Sequence, residues 1–155
     1  MQSIRGWIND WNDIIRTIIF KDDTLKYLMM LNEDVDIISF IDKYFIKAGY
    51  TNKLLENENV RIVYSDVQGK DTDVPNVKRN MITFDIYVKT EHLHNVGNDR
   101  LVMRTQLIAN RLIELLTMKR YIGRYRFWIA GDWDLVTSAI GYARYSVAFY
   151  YMKVY

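Results

Sequence analysis

The sequence predicts an α+β domain, in which a small, mostly antiparallel sheet of about four strands is covered by helices and preceded by N-terminal helices. Three observations carry that prediction. Residues 82–88 alternate strictly, with Ile82, Phe84, Ile86 and Val88 on one face and Thr83, Asp85 and Tyr87 on the other, the pattern of a half-buried strand. Residues 100–118 repeat apolar side chains at helical spacing. The chain then ends in two aromatic-rich runs, 123–130 and 141–155, that read as strands.

Length and composition agree with one folded domain. A chain of 155 residues that is 50% hydrophobic with a single proline can bury a core and is not a disordered chain. Residues 1–50 form a helical N-terminal part and 58–155 the sheet and its helix. Twelve tyrosines and four tryptophans suit half-buried surfaces, including subunit contacts. Net charge is +2, too small to imply nucleic-acid binding. Its distribution is uneven: residues 1–60 carry seven bases and ten acids, and residues 61–155 fourteen bases and nine acids. An acidic half and a basic half can meet between subunits, or they simply make a mixed surface. The absence of cysteine excludes disulfides, Cys-ligated zinc and thiol catalysis. The N-terminus lacks the apolar core of a signal peptide, and no run approaches the roughly 18 apolar residues of a membrane span.

In chain order, Ile4, Trp7, Ile8, Trp11, Ile14, Ile15, Ile18 and Ile19 mark an amphipathic helix over residues 3–20, with Ser3 as its cap. Asp23 or Thr24 caps a second helix reaching Leu31. A polar connection, 32–36, leads to a third helical stripe from Ile37 to Phe45, closed at Gly49. Residues 60–64 read as a strand, and 65–76 as an exposed polar loop holding the only proline. After the alternating strand, Asn98 is a suitable cap and Asp99 a first-turn acid for the helix 100–118. Its stripe is Leu101, Ile108, Leu112 and Leu115, and Arg104 and Arg111 are expected to reach solvent or another chain. Lys119 and Arg120 suit the negative end of the helix dipole. Residues 131–134 read as a turn, and the final strand, apolar on both faces, as central or buried in an assembly.

No catalytic constellation stands out, and the expectation is a protein that is not an enzyme and uses no cofactor or metal. His92 and His94 have metal-binding spacing but no placed third ligand. Asp66 with Asp85 and Lys89 invites comparison with metal-dependent nucleases. That chemistry wants an acid and a lysine two residues apart, whereas Asp85 and Lys89 stand four apart, roughly 13 Å along a strand. No phosphate-binding loop, dinucleotide fingerprint or nucleophile elbow occurs. Lys119, Arg120, Arg124 and Arg126 interleave with Tyr121, Tyr125, Phe127 and Trp128. This region can track a nucleic-acid backbone, with Arg124 and Arg126 on one strand face, or it is a helix end beside an exposed sheet.

From residue 58 onward, the strand Ile82–Lys89, the helix containing Ile108–Leu116, the strand from Gly123 and the closing strand Gly141–Phe149 follow one another in an order that resembles the tail terminator and head–tail joining (neck) proteins of tailed bacteriophages. The resemblance rests on patterning and element order. It implies a homo-oligomeric ring, commonly a hexamer, that caps the tail tube and joins it to the head in the virion after assembly in the host cytoplasm. Its partners are the tail tube protein and a head completion or connector protein, with DNA passing through the lumen without sequence-specific binding, and no membrane. On that reading Asp66, Gln68, Lys70, Asp73 and Pro75 are a partner-contact loop, and Arg124, Arg126, Asp85 and Lys89 face the lumen or another subunit. The alternatives are a small nucleic-acid-binding or processing protein using residues 119–128, and a toxin-associated or regulatory interaction module.

Overall fold

A computed structural model describes residues 13–48, 58–71, 78–97, 101–139 and 141–153. The chain is α+β, with a five-stranded mixed sheet in the order β1-β2-β3-β5-β4. Its strands are β1 (Phe45–Lys47), β2 (Val60–Asp71), β3 (Lys78–Lys89), β4 (Tyr125–Ala139) and β5 (Tyr142–Lys153). β1 runs parallel to β2, and the other pairings are antiparallel. Among the described residues the α-helices are α1 (Asp23–Leu28), α2 (Ile37–Ser39) and α3 (Arg104–Thr117).

The alternation in residues 82–88 does what a half-buried strand requires. Ile82, Phe84, Ile86 and Val88 are fully buried under the helical layer, and α3 crosses β3, β5 and β4 on that face. Ile108, Ala109, Leu112 and Leu116 of α3 meet Val147, Phe149 and Tyr151 of β5 in one continuous core. Phe84 lies at its centre, with ring centroids of Phe45 and Phe149 both 5.8 Å away. β5 is central, flanked by β3 and β4. That position explains a strand apolar on both faces, since even Ser146 and Ala148 on its far side are buried.

Several expectations need correction. The stripe from Ile37 is helical only to Tyr44, through α2 and a π-helical segment Phe40–Tyr44. Phe45–Lys47 then turns extended and pairs with Ile62–Tyr64. A short apolar run does not distinguish strand from buried helix by period alone. The buried Arg61 supplies what that run lacks, because its Nε donates to the Lys43 carbonyl at 2.8 Å and ties the segment to the sheet edge. Of the first helix, only its end is described, closing in a π-helical segment Ile15–Ile19 that buries Ile15 and Ile19. Ser3, Gly49, Asn98 and Asp99 lie outside the described residues. The cap of α1 is Asp22, not Asp23 or Thr24, with its carboxylate accepting from Leu25 N at 2.8 Å. α3 starts at Arg104 after Met103, so Leu101 precedes it and is 94% exposed instead of joining the stripe. Residues 131–134 are not a turn but part of β4, which bulges between Ile129 and Gly131 and continues.

Arg104 departs furthest from its expected solvent exposure. It is 5% exposed, and its guanidinium donates to three backbone carbonyls: Leu28 at 2.8 Å, His92 at 3.1 Å and Asn95 at 2.6 Å. Burial pulls its pKa below the ordinary arginine value. One cation thereby ties the C-terminal end of α1 to the connection after β3, and it satisfies the buried Leu28 carbonyl left open at the helix end. Arg104→Met keeps the apolar stem and removes all three donors. It is expected to cost about 3 kcal/mol, read as a fall in urea midpoint with an unchanged slope.

Candidate functional site

Three of the five residues expected in a partner-contact loop stand in a strand instead. Asp66, Gln68 and Lys70 lie within β2, which pairs with β3 as far as Asp71↔Lys78, with a register shift between Val67 and Lys70. The hairpin is longer than its composition indicates, because polar residues can pair as strands when the partner strand holds register. Asp73 and Pro75 lie outside the described residues. Asp66 is on the helix-covered side, where its two carboxylate oxygens accept from the Tyr151 hydroxyl at 2.9 and 3.0 Å. Burial, and then the Asp66 charge, push the Tyr64 phenol above its ordinary pKa.

Asp85 and Lys89 are on the sheet face opposite α3. Asp85 accepts a hydrogen bond from the buried Ser146 hydroxyl on the adjacent strand. Lys89 donates its backbone N–H to Asn59 O at 2.9 Å. Arg124 and Arg126 do not share a strand face. Ile122 and Tyr125 exchange backbone hydrogen bonds of 2.8 and 2.9 Å, leaving Gly123-Arg124 as a two-residue turn. Gly123 has φ +59°, the conformation that a type II′ turn asks of a glycine at this position. Arg126 is an exposed residue of β4.

These elements bring a groove together. The end of α3 and the residues after it (Thr117, Met118, Lys119, Arg120) face Arg126–Ile129 of β4 across a volume of about 480 Å³. Three cations and no carboxylate line it. Arg120 lies over the Tyr121 ring at 5.4 Å, and Trp128 packs beside Tyr150 at 6.1 Å. The basic, aromatic character was legible in sequence, but half of those aromatics are core. Tyr125 and Phe127 are 6% and 5% exposed, as alternation along β4 dictates.

At the other end of the helical layer, a second groove of about 550 Å³ is lined by Asp23, Lys26, Tyr27, Leu31, Asn32 and Glu33. Outside that groove, Arg111 is engaged within the chain. Its Nε and one terminal nitrogen reach Asp22 at 2.9 and 2.5 Å, and the other reaches Glu114 at 2.8 Å. The Arg111 guanidinium, followed in weight by the Leu25 N–H among the groups that favour the charge, holds the Asp22 carboxyl below its ordinary pKa. Nothing in the sequence pairs positions 22 and 111, since they meet only once α1 lies against α3.

Among the described residues, no three His, Cys, Asp or Glu side chains cluster as metal ligands, and His92 lies 3.6 Å from Glu91. Among the same residues, no helix is long and apolar enough to cross a membrane. No protein family model matches the chain, and no curated protein matches it either.

Because the folded state lowers the Asp22 pKa, its contribution is present above the unfolded carboxylate value near pH ~4 and is lost as pH falls through the folded value. Asp22→Asn keeps a capping acceptor and removes the ion pair. It should cost about 1 kcal/mol at neutral pH, with wild-type and variant stabilities converging in chemical denaturation as pH drops below ~4.

Proposed function

We propose that this chain is a structural protein of a tailed-phage head–tail interface, a ring-forming tail terminator or neck protein that caps the tail tube and joins it to the head. The observation that carries the reading is β4. It is a 15-residue strand at the end of the sheet order, and among the described residues it pairs with β5 and, beyond that, only through the Tyr125 bridge to Ile122. A long strand with one edge unpaired is a template for association, and proteins that remain single cover or shorten such edges. The described residues supply neither remedy over the length of β4, although its bulge twists the edge locally. A neighbouring subunit would cover it. The element order that supports the resemblance is the other ground: α3 follows β3, β4 follows α3, and β5 closes the chain in the middle of the sheet.

On this reading the protein's work is geometric. It closes into a ring, commonly of six copies, ends tube polymerisation on one face and offers the other to a head completion protein. DNA passes through the lumen without being read. The site of action is the virion neck, after assembly in the host cytoplasm.

One observation favours a second reading, a small nucleic-acid-binding protein. The groove with Lys119, Arg120, Arg126 and Trp128 combines backbone-neutralising cations with an aromatic platform. Light scattering coupled to size exclusion separates the two. The ring reading expects a discrete oligomer with weak affinity for DNA. A chain monomeric at the highest concentration reached, binding DNA with a steep salt dependence, would overturn it.

A further inference from the structure

We infer that the basic groove between the end of α3 and β4 receives the acidic loop 32–36 of a second copy of this chain, in a head-to-tail contact. The inference rests on the ring reading and names the surfaces that would build the ring.

The charges are complementary. Lys119, Arg120 and Arg126 are exposed and line the first surface with no carboxylate among them. Glu33, Asp34 and Asp36 are exposed on the loop between α1 and α2. None of Lys119, Arg126, Glu33 and Asp34 forms an ion pair among the described residues, so these charges remain available for another chain.

The placement is also that of two opposite ends. α1 is tied by the Leu28 carbonyl to Arg104, the first residue of α3, so the loop that follows α1 belongs to that end of the helix. Lys119 and Arg120 follow the other end, and a 14-residue helix spans about 20 Å. Across the sheet, the loop leads through α2 into β1, at one edge, whereas Arg126 stands on β4 at the other. Four strand spacings make that about 19 Å. Two complementary surfaces at opposite ends cannot meet within one copy. They meet only between copies, in a heterologous contact that closes into a ring when the rotation permits.

The exposed apolar side chains give an independent indication. Among the described residues, the exposed large hydrophobics are seven, and all but Leu101 fall at these two ends. Tyr27, Met30 and Ile38 accompany the acidic loop, and Met118, Tyr121 and Ile129 the basic groove. Apolar side chains set among charges that are mainly acidic at one end, where Lys26 also lines the groove, and basic at the other are how a subunit contact is composed.

The test is a charge swap read by light scattering on the full chain. Lys119→Glu with Arg126→Glu should weaken association about tenfold or more at low salt. Glu33→Lys with Asp34→Lys should do the same. Mixing the two reversed proteins should restore the oligomer. Asp36 is left in place because it caps α2 through Ser39 N at 2.7 Å, and thermal melts of both variants confirm that the fold is kept. A wild-type oligomer that neither reversal moves overturns the contact and leaves the ring reading standing. A groove reversal that abolishes DNA binding while leaving the oligomer intact also overturns it and assigns the groove to nucleic acid. A wild-type chain that stays monomeric overturns the ring reading and the contact together.

Discussion

The layout of the helical layer depends on the guanidinium of Arg104. Three carbonyls from two separate segments converge on it. A buried cation held by carbonyl dipoles is stable when every donor is matched, and costly when one is lost. The bidentate pair of Arg111 with Asp22 fixes the other end of α1 on α3. Two arginines of one helix thus hold a six-residue helix that would not persist alone. Because α1 is fixed along α3, the loop after it is fixed as well, and so are the two charged ends of the molecule.

Acids of the sheet are likewise engaged within the chain. Asp66 takes the Tyr151 hydroxyl, Asp85 takes that of Ser146, and Asp132 takes that of Tyr145. Each bond links β5 to a neighbouring part of the sheet, two of them across directly paired strands. Hydrogen bonds to charged acceptors are each worth roughly 1.5–3 kcal/mol, and these three also leave few carboxylates on the strands for binding a partner. Contact chemistry is displaced to the ends of the helical layer and to the edge strand.

That displacement explains what was legible in the sequence. Strict alternation revealed β3, helical repetition revealed the body of α3, and apolarity on both faces revealed that β5 is central, because burial imposes each pattern locally. The basic groove was visible as a cluster of charges around a helix end. Three features were not visible. β1 is three residues long and hidden in a helical stripe. The hairpin arm of β2 is polar and mimics a loop. Arg104 and Arg111 have the spacing of surface residues, and only the arrival of α1, some eighty residues earlier in the chain, makes them internal. Pairings across long separations leave no periodic trace, so the internal partners of Asp66 and Asp85 are not readable from their positions in the sequence.

The central claim is that one copy's acidic end meets the next copy's basic groove. The chain contains no cysteine, which makes a direct trial clean. One protein carries Asp34→Cys and another Lys119→Cys, both under mild oxidation, alone and mixed. Head-to-tail contact predicts efficient disulfide-linked dimers only in the mixture. Crosslinking of either protein alone as efficiently as in the mixture, or none in the mixture under conditions where the oligomer persists, would contradict it.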